Sequence, residues 1–186
     1  MIVKVAYQGE PGAFSHEACR TFLPTYDAVR KPSFASVVQA VSDGETELGV
    51  LPEENVAAGV VPEVRDLLGQ GSLEIVARHV LPIRMHLLGV EGATLETIRI
   101  IVSHPIALAQ CANKVLELGL PTEEALNTAG AAKDLALAND PTRAVLASAV
   151  AADTYGLEIL KPDMHDREDN ATRFVVLSRP PSEARQ

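Results

Sequence analysis

The sequence predicts a two-lobed α/β protein, and three observations carry that prediction. Strand-like and helix-like segments alternate along almost all of its 186 residues. Two consecutive extended runs, within 73–90, interrupt the alternation. A last apolar run, 174–178, follows an acidic loop and has no helix after it. Regular alternation implies mostly parallel sheets covered by helices. The paired extended runs read as crossover strands between lobes. The expected division is residues 1–78 plus 171–179 in lobe 1 and 79–170 in lobe 2. The Pro-rich end, 180–186, reads as a flexible tail.

"VKVAY" (3–7) is a short apolar strand, followed by the Gly/Pro turn "QGEPG" and the helical "AFSHEACRTFL", which Pro24 ends. "ASVVQAVSDG" (35–44) has amphipathic spacing and a glycine stop. "ELGVL" (47–51) is a buried strand expected to stop at Pro52. "VPEVRDLLGQG" (61–71) opens with proline in its first turn and closes on glycine, as short helices do. In "LPIRMHLLGV" the residues Leu81, Ile83, Met85 and Leu87 alternate with Pro82, Arg84 and His86, giving one buried face. Strand 98–102, helix 105–118, strand 123–127, helix 129–138, strand 143–147, helix 148–155 and strand 157–160 complete the pattern.

Composition narrows the function classes. A net charge of −9 opposes nucleic acid and anionic membranes as partners, so an anionic ligand needs local donors. No apolar run approaches the roughly 18 residues of a membrane span. Met1 leads straight into "IVKVAY" without the pattern of a secretory signal, and the expected location is the cytoplasm. Cys19 and Cys111 sit in apolar, helix-like surroundings and read as buried free thiols. The five histidines lack HExxH spacing, and "DMHDRED" (163–169) lacks the spacing of a calcium loop. "GEPG" is not GxGxxG, and no GxxxxGK[ST] or G-x-S-x-G occurs. No cofactor and no metal is expected.

Ligands of parallel α/β sheets sit beyond the carboxyl ends of strands. Five such loops are polar: "QGEPGAFS" (8–15), "PEENVAAG" (52–59), "SHPIALAQ" (103–110), "NTAGAA" (127–132) and "NATRF" (170–174). Amide groups at helix starts favour anions there. In the third loop Ser103 stands near the N-cap and Pro105 near the first helical position. Gln110 lies two turns on and leans back toward the start. A plain cap followed by a surface Gln fits the same spacing. Glu54 and Asn55 read equally as ligand groups or as an Asx-type turn that satisfies backbone groups. Glu53 reads as their solvent-facing neighbour. Thr172 and Arg173, just before the strand from Phe174, either close a loop or face a ligand.

Together the motifs "YQGEPGAFSHEAC", "ELGVLPEENVAAG", "VSHPIALAQC", "NTAGAA" and "NATRFVVLS" resemble those of the prephenate dehydratase family, in order and along essentially the whole chain. The resemblance implies a two-lobed, periplasmic-binding-protein-like (type II) α/β fold with the active site in the inter-lobe cleft. It implies conversion of prephenate to phenylpyruvate by loss of carbon dioxide and water, in phenylalanine biosynthesis, without metal or organic cofactor. Thr172 would be the donor to the departing hydroxyl, and Glu54, Asn55, Ser103 and Gln110 would shape the pocket. Arg173, Phe174, Ala13, Phe14, Ser15, Thr128 and Ala129 would line the substrate. The expected partner is small-molecule prephenate, with a homodimer or higher homo-oligomer as the assembly.

Two departures from the family pattern stand out. Val56 replaces its serine after Glu-Asn, and Glu53 replaces its isoleucine, adding a carboxylate where an anion is to bind. No regulatory ACT or chorismate mutase region is expected, and therefore no feedback inhibition by phenylalanine. Arogenate dehydratase is an alternative that sequence does not separate. A degenerate bilobal small-acid sensor is another, and Thr172-Arg173-Phe174 counts against a non-aromatizing decarboxylase.

Overall fold

The computed structural model describes residues 3–181; the end of the expected tail, 182–186, lies outside the described residues. In chain order the elements begin with β1 (Lys4–Gln8), α1 (Phe14–Phe22), β2 (Asp27–Lys31), α2 (Phe34–Ser42), β3 (Leu48–Asn55), β4 (Gly59–Val60), α3 (Pro62–Gly69) and β5 (Glu74–Pro82). There follow β6 (His86–Gly89), β7 (Ile100–Ser103), α4 (Pro105–Gln110), α5 (Ala112–Leu118), β8 (Thr122–Glu124) and α6 (Thr128–Ala138). The last are β9 (Arg143–Ala147), α7 (Ala149–Tyr155), β10 (Glu158–Lys161) and β11 (Ala171–Ser178). These form two units. One comprises residues 3–9, 15–82 and 171–181; the other comprises Glu10–Phe14 and Ile83–Asn170.

The first unit is a sheet in the order β2-β1-β3-β11-β5, with β4 hooked onto β3. β1 runs parallel to β2 and β3, while β11 runs antiparallel to both β3 and β5. Helix α2 starts in a capping box: Ser33 Oγ accepts from Ser36 N, and Ser33 N donates to Ser36 Oγ. Its Val37 and Ala40 then pack with Ala6, Leu51, Val64, Val175 and Leu177 into one buried cluster. Burying each valine or leucine of this cluster contributes about 1.5–3 kcal/mol before chain entropy is charged against it.

The second unit has the sheet order β10-β6-β9-β7-β8. β7 is parallel to β8 and β9, whereas β6 is antiparallel to β9 and β10. Both sheets are therefore mixed, a correction to the mostly parallel sheets that alternation predicts. The α/β class itself stands.

Three local departures have physical causes. β3 does not stop at Pro52 but continues to Asn55, because Pro52 sits where the β3–β11 register shifts, a position at which proline is tolerated. The strand β2 pairs with β1 where the sequence pattern offers none, its "DAVRK" being half-exposed at the sheet edge. Helix 105–118 breaks at Cys111, with both broken ends satisfied by one residue. Asp166 N donates to Gln110 O (2.8 Å), and its carboxylate accepts from Asn113 N (3.0 Å) and Lys114 N (3.4 Å). An acidic side chain at a helix start is the favoured charge.

In α1, Glu17 Oε2 is buried without a hydrogen-bond partner among the described residues. Burial pushes the Glu17 carboxyl up from 4.5 to about 7, against the opposing Arg20 charge. Between those values the folded chain holds a proton that the unfolded chain releases, so stability falls as pH rises through this window. Glu17→Gln is expected to remove that fall. Thermal melts should show the variant gaining on the wild type from pH 5 to pH 8; parallel profiles would contradict the assignment.

Candidate active site

The register shift between β3 and β11 builds the first group of polar residues. Phe174 lies opposite Pro52, and Arg173 lies opposite Glu54, so Glu53 is an extra residue on β3. In a regular strand, neighbouring side chains point to opposite faces. A bulge sets two residues of one strand against one of its partner. Here both Glu53 and Glu54 reach Arg173: its Nε donates to Glu53 Oε2 (2.7 Å) and its Nη2 to Glu54 Oε2 (2.6 Å). Arg78, from β5, approaches the same Glu53 carboxylate at 3.3 Å and 3.4 Å.

Glu53 is thus not the solvent-facing neighbour that sequence suggests; its side chain is 19 % exposed and shared by two guanidinium groups. Burial raises its pKa, but hydrogen bonds from Arg173 and Arg78 outweigh burial and leave the carboxyl below its ordinary value. The same bond to Glu53 raises Arg173 further.

Thr172 is a strand residue, paired with Asn55 on one side and Leu81 on the other, and it is 7 % exposed. Asn55 Oδ1 accepts from Ala57 N (2.9 Å) and Ala58 N (2.8 Å), closing the turn into β4. That fixes the amide so that Nδ2 donates to Thr172 Oγ1 (2.8 Å) and Ala171 O (3.2 Å). Of the two meanings open for Asn55 in the sequence, the turn is realised, and the amide also reaches Thr172. Because Oγ1 accepts from Asn55, the hydroxyl proton can serve another acceptor. Phe174, the next residue on the same face as Thr172, is buried.

The second unit holds the remaining motif residues. Ser103 closes β7, fully buried, and donates to Leu146 O on β9 (2.7 Å). The N-cap of α4 is His104, whose ring nitrogen accepts from Ile106 N. Gln110 is half-buried at the last position of α4. Thr128 and Ala129 open α6 behind the cap Asn127, which accepts from Gly130 N (2.6 Å).

The turn carrying Ala13 and Phe14 is tied down by two residues that the motifs do not single out. Ser148 Oγ donates to Gly12 O (2.7 Å), and Tyr155 Oη donates to Pro11 O (2.7 Å). Gly12 has φ +89°, and a Cβ there would lie 2.8 Å from Ala151 Cα, so glycine is required on both counts. Ser15, beyond it, is buried in α1. The one available sequence signal for Ser148 is its place as the N-cap of α7.

Cys19 and Cys111 are free and buried, and burial pushes both thiols up to about 12, which makes them inert. Among the described residues, no three His, Cys, Asp or Glu side chains converge as metal ligands do. No described helix is long and apolar enough to cross a membrane. A hollow of about 330 Å³ beside β8 and α6, floored by Val102, Ala131, Leu135 and Val145, is lined by none of the candidate site residues.

A family model described as prephenate dehydratase matches residues 5–182. A bifunctional N-acyl-homoserine lactone acylase/prephenate dehydratase of Komagataeibacter europaeus is 40% identical over 178 residues, covering 96% of this chain and 63% of that protein. Arogenate dehydratase/prephenate dehydratase 2, a chloroplastic protein of Arabidopsis thaliana, is 42% identical over 179 residues, covering 96% and 47%. The chain thus spans less than two thirds of the length of these relatives. Among solved structures, the prephenate dehydratase of Arthrobacter aurescens, in complex with L-Phe, superposes with TM-score 0.88 at 26% identity, covering 97% of this chain and 61% of that one. An ABC transporter protein of Parabacteroides distasonis shares the fold, with TM-score 0.51 at 17% identity over 96% and 66% of the two chains.

The ties to the 10–14 turn give a stability prediction. Ser148→Ala removes a buried hydrogen bond to Gly12 O and should cost about 0.5–1.5 kcal/mol. Amide exchange should quicken selectively in residues 10–14; unchanged exchange there would mean that Tyr155 holds the turn alone.

Proposed function

This chain belongs to the prephenate dehydratase family, and we propose that it converts prephenate to phenylpyruvate. One proton is taken up, and one carbon dioxide and one water leave. The ring carboxylate departs as carbon dioxide, its bonding pair moves into the ring, and hydroxide is expelled as the ring becomes aromatic. Hydroxide is a poor leaving group, so the step needs a donor whose bond strengthens as negative charge develops on oxygen.

The hydrogen bond from Asn55 Nδ2 to Thr172 Oγ1 (2.8 Å) carries this reading. It occupies an acceptor position on the hydroxyl and leaves the proton to be directed at the departing oxygen. A threonine is too weak an acid to give up its proton early, so Thr172 acts as a positioned donor, and the proton that completes water comes ultimately from solvent. Arg173 offers its guanidinium to a substrate carboxylate while Glu53 and Glu54 hold it in place. Asn55 sets the direction of the hydroxyl.

Arogenate, in which an amino-acid side chain replaces the keto acid, is the second reading. It is supported by relatives 40% identical to this chain that are themselves named arogenate dehydratases. The two substrates share the ring, the leaving groups and the step assigned to Thr172. Relative kcat/KM on prephenate and arogenate separates them.

Thr172→Ala is expected to lose about 10²–10³ in kcat, the range for removal of one positioned donor. Thr172→Ser should keep part of the rate, because the hydroxyl remains and only the methyl is lost. Phenylpyruvate release from prephenate measures both. Full turnover in the alanine variant would refute the donor role, while binding of prephenate without turnover in the wild type would refute the reaction.

A further inference from the structure

We propose that Arg78 is a positioning residue that keeps Arg173 available to an anionic substrate by neutralising Glu53. The inference rests on the reading in which Arg173 faces a substrate carboxylate. Arg173 contacts two carboxylates at 2.7 Å and 2.6 Å, so these three groups alone carry one surplus negative charge. An incoming anion would be repelled by that surplus. Arg78 cancels it: its Nε lies 3.3 Å from Glu53 Oε2, and its Nη2 lies 3.4 Å from Glu53 Oε1. The four groups are then neutral together, while Nη1 of Arg173, which neither carboxylate engages, keeps its N–H groups for the ligand.

The sheet explains how a residue outside every motif reaches this position. Arg78 lies on β5 opposite Val175, two residues along β11 from Arg173, so Arg78 and Arg173 belong to the same face. The bulge then brings Glu53 to both of them. Arg78 touches Glu53 rather than substrate, and its influence passes through charge. Its side chain is 52 % exposed, so the effect is screened by salt.

The test is a charge cycle of Arg78→Met, Glu53→Gln and the double variant, with turnover measured at low and high ionic strength. Arg78→Met is expected to raise KM about fivefold at low salt, the size of an exposed ion-pair effect, with kcat within about twofold of wild type. The double variant should have the same KM as Glu53→Gln alone, and the Arg78→Met defect should fade near 0.5 M salt, where the Debye length is about 4 Å. An Arg78→Met defect of equal size on the Glu53→Gln background, or one that ignores salt, would make Arg78 merely structural and overturn the inference. A fall in kcat in place of the KM change would overturn it equally. If the wild type turns over neither prephenate nor arogenate, the reaction reading fails. The same cycle then decides through the calorimetric Kd for prephenate. Equal Kd in wild type and Arg78→Met, or no binding at all, overturns the charge inference.

Discussion

The insertion of β11 between β3 and β5, antiparallel to both, is the constraint on which the first unit depends. This strand comes from the far end of the chain, and its Val175 and Leu177 complete a core otherwise built from residues 6–64. Its apolar half is therefore held by burial. Its polar half is held by hydrogen bonds, because Thr172 and Arg173 are the next two positions along the same backbone. The strand that carries the Thr172 hydroxyl is therefore anchored by the core itself. Functional groups on strands are placed more precisely than groups on loops.

The second unit uses a different device. Its helix starts are capped by side chains that lie close in sequence, as with Asn127 and Ser148. Its irregular segments are tied by residues that lie far away. Asp166 fills the break between α4 and α5, and Ser148 and Tyr155 seat the turn before α1. Each tie satisfies a backbone group that would otherwise be lost to water or left unpaired, which is the usual requirement for irregular chain within a packed domain.

What could be read from local pattern and what could not divides along the same line. Apolar runs such as 143–147, and helices with capped starts such as the one after Asn127, follow from neighbouring residues alone. The family motifs also name Thr172, Arg173, Glu54 and Asn55, and the structure pairs Thr172 with Asn55 and Arg173 with Glu54 across two adjacent strands. Pro52 gave a false stop because a bulge, set by a strand more than a hundred residues away, accommodates it. The break at Cys111 left no trace in a stretch of good helix formers, since Asp166 creates it from outside. The direction of β11 and β6 was equally hidden, as local alternation carries no sign for parallel or antiparallel pairing. Glu53 read as a surface residue for the same reason: both of its cations come from other strands.

A bulged residue has no partner of its own across the ladder. Removing or exchanging the side chain at position 53 leaves the pairs 52 with 174, 54 with 173 and 55 with 172 in place. Natural variation at such a site is decoupled from register. It can alter the electrostatic character of the sheet face that carries Arg173 by whole units of charge, while Thr172 and Asn55 lie on neighbouring positions of the opposite face. The sheet thus contains a position whose charge is set apart from the backbone pairing on either side of it.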